Sequence, residues 1–336
     1  MASRIKITTQ NGITINYDNK RIDLDPVRKS NGDYKFISHA HMDHMGGKNS
    51  NGSIIASEET VFLAAQRGVK LKLATNIPKD ITLVNSGHIL GSRGIILDEG
   101  KIFYTGDFAV KPRAFLRGCD HKECNILIIE STFGKKDFIF PSISDIQEKV
   151  NQLISELFSR GIPVILMGYS LGKAQILSHL FSSWDPIYVE KSVWEMNKAH
   201  INLGVDIRED LILYDIAKHG GFLQKRPWVL ISPMQNRYNN FVSNLKKKYG
   251  AITVAFSGWS VDPRYKYKIK ADHAFPLSDH SDFNELVDMA KRCNPNRIYT
   301  VHGFAEEFAA HLRSIGFDAR PLSSGQSAIS EYFFDG

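Results

Sequence analysis

Three features predict an α/β fold for this chain. Near the start, 4-RIKITTQNGITINYD-18 alternates apolar and polar residues around Asn11-Gly12. That dipeptide favours a two-residue type I′ turn between antiparallel strands. Further on, 126-ILIIE-130 is a short continuous apolar run, which reads as a buried strand. After Phe140 strand-like and helix-like segments alternate, the pattern of a parallel sheet covered by helices.

The remaining elements follow the same logic in chain order. Strands fit 21–24, 35–38, 81–85, 95–97 and 101–104. A helix fits 143–159, 163-PVILMGYS-170 reads as a strand running into a turn, and 172-GKAQILSHLF-181 reads as the helix that follows. Helices are also predicted over 236–248, 282–291 and 305–315. No internal repeat, low-complexity tract or long linker interrupts the series.

With 336 residues the chain can fill one large core or two of ordinary size. Its charged share of 23% and hydrophobic share of 43% are those of a globular protein. The net charge of +6 suits a polyanionic partner without demanding one. Cys119, Cys124 and Cys293 form no CxxC pair, which argues against a disulfide framework and for a reducing compartment. No apolar signal core opens the sequence and no run has the length of a membrane span, so a cytoplasmic location away from membranes is expected. Nothing in the sequence sets the oligomeric state.

Chemistry is concentrated in 38-SHAHMDHMGG-47. A lone histidine is usually a surface residue or a satisfied core residue, but spacing adds information here. In an extended segment residues two apart share a face, so His39 and His41 can converge on one point. Asp43 and His44 then face a second point, and Gly46-Gly47 lets the backbone turn sharply. Imidazole and carboxylate suit zinc, and also manganese or iron. Two metals need more ligands, and the chain offers His88 in SGHILGS, Asp107 in FYTGDF and His302 in YTVHGF, each at the end of a predicted strand.

In this order, HAHMDH, SGHILGS, YTGDF and VHGF resemble the metallo-β-lactamase superfamily. The long stretch between Asp107 and His302 holds 130-ESTFG-134, 169-YSLGKAQIL-177, 257-SGW-259 and 277-LSDHSDF-283, which resemble the β-CASP nucleases. The resemblance implies a metallo-β-lactamase αββα sandwich, residues 1–134 and 276–336, with a β-CASP α/β domain inserted over 135–275. Within the family these motifs look most like ligase-associated DNA exonucleases and archaeal mRNA 3′-end processing exonuclease-like proteins. It further implies two zinc ions per chain, or Mn2+ or Fe2+ in their place. His39, His41 and His88 hold one, and Asp43, His44 and His302 hold the other. Asp107 bridges them, and Asp43 counts among the catalytic residues as well. Asp25, in 23-DLDP-26, is expected to orient a ligand histidine. Asp23 competes for that role, but Pro26 after Asp25 fits the nuclease pattern better.

Such a pair of metals suits hydrolysis of a phosphodiester by in-line attack. The leaving oxygen needs a proton, and His280 in LSDHSD is the candidate general acid. Glu130, closing the ILIIE strand, would accept a hydrogen bond from His280 and keep it protonated. The substrate is expected to be single-stranded DNA or RNA. The 168-GYSLGK-173 turn can present backbone amides to a phosphate, with Lys173, Ser170 and Ser278 as substrate-binding candidates. The stretch 264-RYKYKIK-270 would place its positive charges on one face if it were a strand, although a solvated strand explains it as well. The run 246-KKK-248 reads as a solvated helix end.

The leading expectation is a DNA exonuclease, with a DNA ligase or repair protein as its partner. An RNA-processing nuclease is the alternative, weakened by Ile176 where RNA-processing relatives commonly carry Glu. No appended KH-type RNA-binding domain is read in the sequence, so recognition is expected to rest with the cleft and the insert. A hydrolase of small esters or lactams is disfavoured by the long insert. A non-catalytic scaffold would have no need of the full ligand set and the Glu130/His280 pair.

Overall fold

In the computed structural model, which describes residues 4–9, 12–46, 53–225, 227–234, 240–322 and 330–333, the opening alternation becomes an antiparallel pair. Ile7 lies opposite Ile15, and both are buried. The turn expected at Asn11-Gly12 falls outside the described residues at Asn11, as does Gly47 of the expected Gly46-Gly47 bend. In chain order the elements begin with β1 (Arg4–Thr8), β2 (Ile13–Tyr17), β3 (Lys20–Leu24), β4 (Tyr34–Phe36), β5 (Ser53–Ile55) and α1 (Glu58–Gln66). Then come β6 (Thr82–Asn85), β7 (Arg93–Leu97), β8 (Ile102–Tyr104), β9 (Ile126–Glu130), α2 (Ile143–Ser159), β10 (Val164–Gly168) and α3 (Lys173–Leu180). Next are β11 (Ile187–Val189), α4 (Lys191–Asn202), β12 (Ile212–Leu213), α5 (Tyr214–His219), β13 (Val229–Pro233), α6 (Phe241–Tyr249), β14 (Ile252–Phe256), α7 (Tyr265–Lys268) and β15 (His273–Phe275). The series closes with α8 (Phe283–Cys293), β16 (Arg297–Val301), α9 (Ala305–Ser314), β17 (Ala319–Pro321) and β18 (Ser330–Phe333).

The chain divides into two compact units. One comprises Met1–Lys111, Arg117–Lys136 and His280–Gly336, the other Pro112–Leu116 and Asp137–Asp279. The first unit holds two six-stranded sheets, ordered β18-β1-β2-β3-β4-β5 and β17-β16-β9-β8-β7-β6. Ile15, Ile22 and Phe36 of one sheet share a core with Ile95, Ile102, Ile126 and Ile128 of the other, so the sheets pack face to face. On the far side of the second sheet, Leu127 and Ile129 pack with Leu286 and Met289 of α8 and Phe308 and Leu312 of α9. The apolar run ILIIE follows from this: successive side chains of β9 enter opposite cores, so no position faces water.

β9 is parallel to β8 and β16, and β7 is antiparallel to both β8 and β6. Hence β6, β8, β9 and β16 run the same way. His88, Asp107, Glu130 and His302 lie at or just beyond the carboxyl ends of these four strands, and Asp25 and His39 just beyond β3 and β4. Ligand sites of α/β sheets gather at such ends, where loops leave a rigid platform.

The second unit is built on one parallel sheet, ordered β12-β11-β13-β10-β14-β15. Its central strand β10, VILMG, is buried throughout. The alternation after Phe140 thus yields the expected parallel layer, with α2 spanning the predicted 143–159. One reading is corrected. Residues 264–270 are not a strand: Tyr265–Lys268 form a short helix, and Arg264 pairs with Asp262 at 2.8 Å. Their charges therefore do not line one strand face. No helix among the described residues is long and apolar enough to cross a membrane.

One buried group gives this unit an acid sensitivity. His200 on α4 is fully buried; its Nδ1–H donates to the Met196 carbonyl at 2.8 Å, and Nε2 has no hydrogen-bond partner among the described residues. Burial therefore lowers its pKa from 6.5 to about 4. Between those values the unfolded chain binds the extra proton and the folded chain does not. Stability present above the unfolded value is thus lost as pH falls through the folded one, by up to about 3 kcal/mol. Urea unfolding at pH 7 and pH 4 should show a smaller acid loss in His200→Phe than in the parent. Equal losses would contradict this assignment.

Candidate metal centre

Beyond β4 the chain runs extended through His41 (φ −73°, ψ 145°) and then tightens into a single 3-10 turn, Met42–His44. The extended stretch places His39 and His41 on one side, with His39 Nε2 and His41 Nδ1 3.0 Å apart. His88 arrives from the loop after β6, its Nε2 3.2 Å from the same His41 nitrogen. Two glycines make these approaches possible. Gly87 and Gly106, each directly before a site residue, have φ of +71° and +57°. A Cβ on Gly87 would come within 2.6 Å of the Ala109 carbonyl oxygen, and one on Gly106 within 2.9 Å of Ser38 Cβ.

Asp107 is the meeting point. Its Oδ2 lies 3.4 Å from His44 Nε2 and 3.8 Å from both His39 Nε2 and His88 Nε2. Three donor clusters result, each with its ligand atoms within 4.8 Å of one another: His39-His41-His88, His39-His44-Asp107 and His88-Asp107-His280. Asp43 and His302 stand outside these clusters. The Asp43 side chain is largely exposed, 3.8 Å from His44 Nε2, and the exposed His302 ring centres 5.9 Å from that of His44. Of the two expected ligand sets, then, the structure gathers the first and the bridge, and brings the second only to His44.

Contacts behind the ligands fix their orientation. Ser38 Oγ is 2.9 Å from His39 Nδ1, which turns Nε2 inward. Asp25 Oδ2 is 3.1 Å from His44 Nδ1 and accepts from the Tyr104 hydroxyl at 2.9 Å, while Oδ1 accepts from Ser38 N–H at 2.7 Å. Asp25, itself at φ +41°, is thus the carboxylate behind a candidate ligand. Asp23 is occupied within its sheet by Thr14 Oγ1, Gly32 N–H and Arg21 Nε. Ser38 and Tyr104 were not assigned roles from sequence, although both sit inside the motifs that carry the ligands.

The donors also have ligand-like electrostatics. Burial, reinforced by His44, His41 and His88, holds the His39 pKa well below its usual value, so the ring is neutral. Burial works against ionising Asp107, but His44 above all, then His280 and His39, outweigh it and hold the carboxyl well below its usual range. Burial likewise opposes charge on His44, and Asp107 and Asp25 overcome it, leaving its pKa well above normal. A neutral imidazole, an anionic carboxylate and a second imidazole that only carboxylates keep charged form a set that a cation fits.

Beside this set, His280 Nδ1 is 2.8 Å from Glu130 Oε1, with the Phe133 ring edge-on to His280. Glu130 is fully buried, and its carboxylate also accepts from Phe108 N–H at 3.3 Å and Thr132 N–H at 2.9 Å. The substrate-binding candidates fare differently. Lys173 is corrected: it is buried, not presented to a ligand, and its ammonium pairs with Asp279 at 2.8 Å and donates to the Leu277 carbonyl at 2.7 Å. Ser278 is buried as well, its carbonyl accepting from Arg113 Nη1 at 3.0 Å. Ser170 is half-buried in the turn before α3, its carbonyl accepting from Gln175 Nε2 at 3.2 Å.

Comparison with known proteins places this geometry in a class. Residues 266–320 match the family described as a Zn-dependent metallo-hydrolase RNA specificity domain. A Probable DNA ligase of Opitutus terrae is 32% identical over 84% of this chain, which spans only 28% of that protein. Probable RNase MJ4 of Methanocaldococcus jannaschii is 24% identical over 90% of this chain and 87% of its own length. The crystal structure of a protein of unknown function from Enterococcus faecalis V583 shares the fold, with a TM-score of 0.65 at 13% identity, covering 99% of this chain and all of that one. The site gathers donors suited to metal ions, and the matched segment belongs to a domain described for Zn-dependent metallo-hydrolases. These similarities agree with the resemblance of the HAHMDH, YTGDF and LSDHSDF motifs to the metallo-β-lactamase superfamily and its β-CASP branch.

Asp25 offers a test of the centre that does not depend on activity. Asp25→Ala should lower metal affinity by roughly 10–100-fold by freeing His44, as read by metal retained against graded chelator. Unchanged retention would remove Asp25 from the centre.

Proposed function

We propose that this chain hydrolyses phosphodiester bonds of nucleic acid at a two-metal centre, as a nuclease that degrades DNA from an end. The observation that carries the reading is the position of Asp107 Oδ2 among three inward-facing imidazoles, with the buried Glu130–His280 pair beside it. His39, His41 and His88 would hold one metal; His44, Asp43 and His302 would hold the other, with Asp107 shared. When bound, the metals supply an activated water and charge stabilisation at the phosphoryl oxygens. Zinc fits the imidazole-rich donor set.

The chain's own residues supply the proton. Glu130, anchored by two backbone N–H groups, accepts the His280 Nδ1–H. Nε2 of the imidazolium then donates to the leaving oxygen, and the Nδ1 proton stays in place. A second role for His280 is chemically open, because a ring nitrogen lies within 4.8 Å of donor atoms on His88 and Asp107. The two roles differ in whether metal is lost with the ring.

DNA is favoured by the ligase-named relative. Most of this chain aligns with a minor part of that protein, so a similar segment is joined there to the rest of a protein named as a ligase. A DNA ligase or repair protein is accordingly the proposed partner. RNA is the second reading, supported by the match of residues 266–320 and by the similarity to a protein named as an RNase along nearly its full length.

Removal of metal by chelation should abolish nuclease activity, and zinc or manganese should restore it. His280→Ala should retain metal while turnover falls by about 10²–10⁴-fold; metal loss would make His280 a ligand. End-labelled single- and double-stranded DNA and RNA, compared side by side, test the substrate. Mononucleotides released from DNA support the proposal, and internal cuts in RNA alone would replace it with the second reading.

A further inference from the structure

Past the end of β16 the backbone takes a strained path. His302 has φ +62° and Gly303 φ +51°, two successive left-handed residues between β16 and α9. A residue with a Cβ disfavours that conformation and keeps it only where the surroundings over-determine it. A Cβ on Gly303 would lie 2.6 Å from the Ser131 carbonyl oxygen, so the turn is pressed against the end of β9. His302 is itself exposed, so burial of its ring does not fix the backbone beneath it.

Most of the contacts that hold this turn come from one residue. Ser131 is fully buried and stands directly after Glu130, the last residue of β9. Its N–H donates to the Val301 carbonyl at 2.7 Å, and its carbonyl accepts from Phe304 N–H at 2.9 Å. These two bonds use the main chain, so any residue but proline could make them. They satisfy groups on either side of the left-handed pair. The side chain adds something specific. Ser131 Oγ lies 2.8 Å from the carbonyl oxygens of both Val301 and His302. Val301 already has the Ser131 N–H, so the single hydroxyl proton is available to the His302 carbonyl. Thr300 Oγ1 spans the same turn, donating to the Ala305 carbonyl at 2.7 Å, and leaves the His302 peptide to Ser131.

We infer that Ser131 is a positioning residue for His302: its hydroxyl holds the left-handed peptide from which that imidazole is presented to the second metal. The inference rests on the proposed ligand role of His302. An exposed imidazole can rotate about its own bonds, so the backbone under it sets the region its nitrogens reach. Ser131 acts through that peptide, not through the ring. The ESTFG motif then has two tasks at adjacent positions. Glu130 meets His280, and Ser131 holds the backbone of His302. Contacts behind a metal ligand change metal affinity by about 10–100-fold when they are removed.

Metal affinity tests this without recourse to catalysis. The metal-free chain is titrated with cobalt(II), followed by visible absorption, and zinc retention is measured against graded chelator. The parent is compared with Ser131→Ala, Ser131→Thr and His302→Ala. The parent should bind two ions, and His302→Ala should weaken one of them. Ser131→Ala should hold that same ion about 10–100-fold less tightly, while the other keeps its parent affinity. Ser131→Thr, which retains a hydroxyl, should recover part of the loss. Urea unfolding of the same samples establishes that each variant is folded. Ser131→Cys, close in size and a weaker donor, serves if Ser131→Ala does not fold, and should show the same loss at one ion.

Parent-like affinity for both ions in folded Ser131→Ala would overturn the inference. Equal weakening of both ions, while His302→Ala weakens only one, would overturn it too, because that is a general loss of structure. If His302→Ala itself holds both ions as tightly as the parent, the ligand role of His302 fails first and the positioning role falls with it.

Discussion

Everything at the centre depends on one buried carboxylate. Asp107 Oδ2 sits within 3.8 Å of Nε2 of His39, His44 and His88, where water cannot screen it. Burial alone would protonate it, and imidazoles alone would repel one another. Together they settle into an anion, a neutral ring and a ring held charged only by carboxylates. That is an arrangement a metal cation relieves. The strands behind it exist to hold these groups this close: three strand ends deliver the histidines and the aspartate, and glycines at 87 and 106 clear the backbone's path.

The second constraint is the Glu130–His280 pair. Glu130 ends a strand whose side chains fill two cores, so its carboxylate has no water to turn to. It is satisfied by Phe108 N–H, Thr132 N–H and His280 instead. A carboxyl group so placed orients the imidazole through its Nδ1.

Much of this was legible in the sequence because it was local. SHAHMDH brought His39 and His41 to one side by the period of an extended chain, and ILIIE announced a strand buried on both faces. YTGDF and SGHILGS carried both the candidate ligand and the glycine directly before it. The choice of Asp25 over Asp23 rested on a neighbouring proline; Asp23 is bonded to Thr14, Arg21 and Gly32, whereas Asp25 lies 3.1 Å from His44 Nδ1. What failed was tertiary. Lys173 in a turn before a helix reads as a phosphate contact, and nothing local reveals that Asp279, far along the chain, buries it. In 264–270 the alternation of charge and tyrosine mimicked a strand, but four residues close into a helical turn after Asp262 pairs with Arg264. Ser38 and Tyr104 were in view and unassigned, because a role behind a ligand has no sequence signature of its own.

The most direct test is diffraction from crystals of the zinc-loaded protein, with anomalous difference maps recorded at the zinc edge. The account predicts two peaks flanking Asp107 Oδ2, one among His39, His41 and His88 and one beside His44, with Asp43 and His302 drawn in to complete the second. A single peak, or peaks away from Asp107, would contradict it.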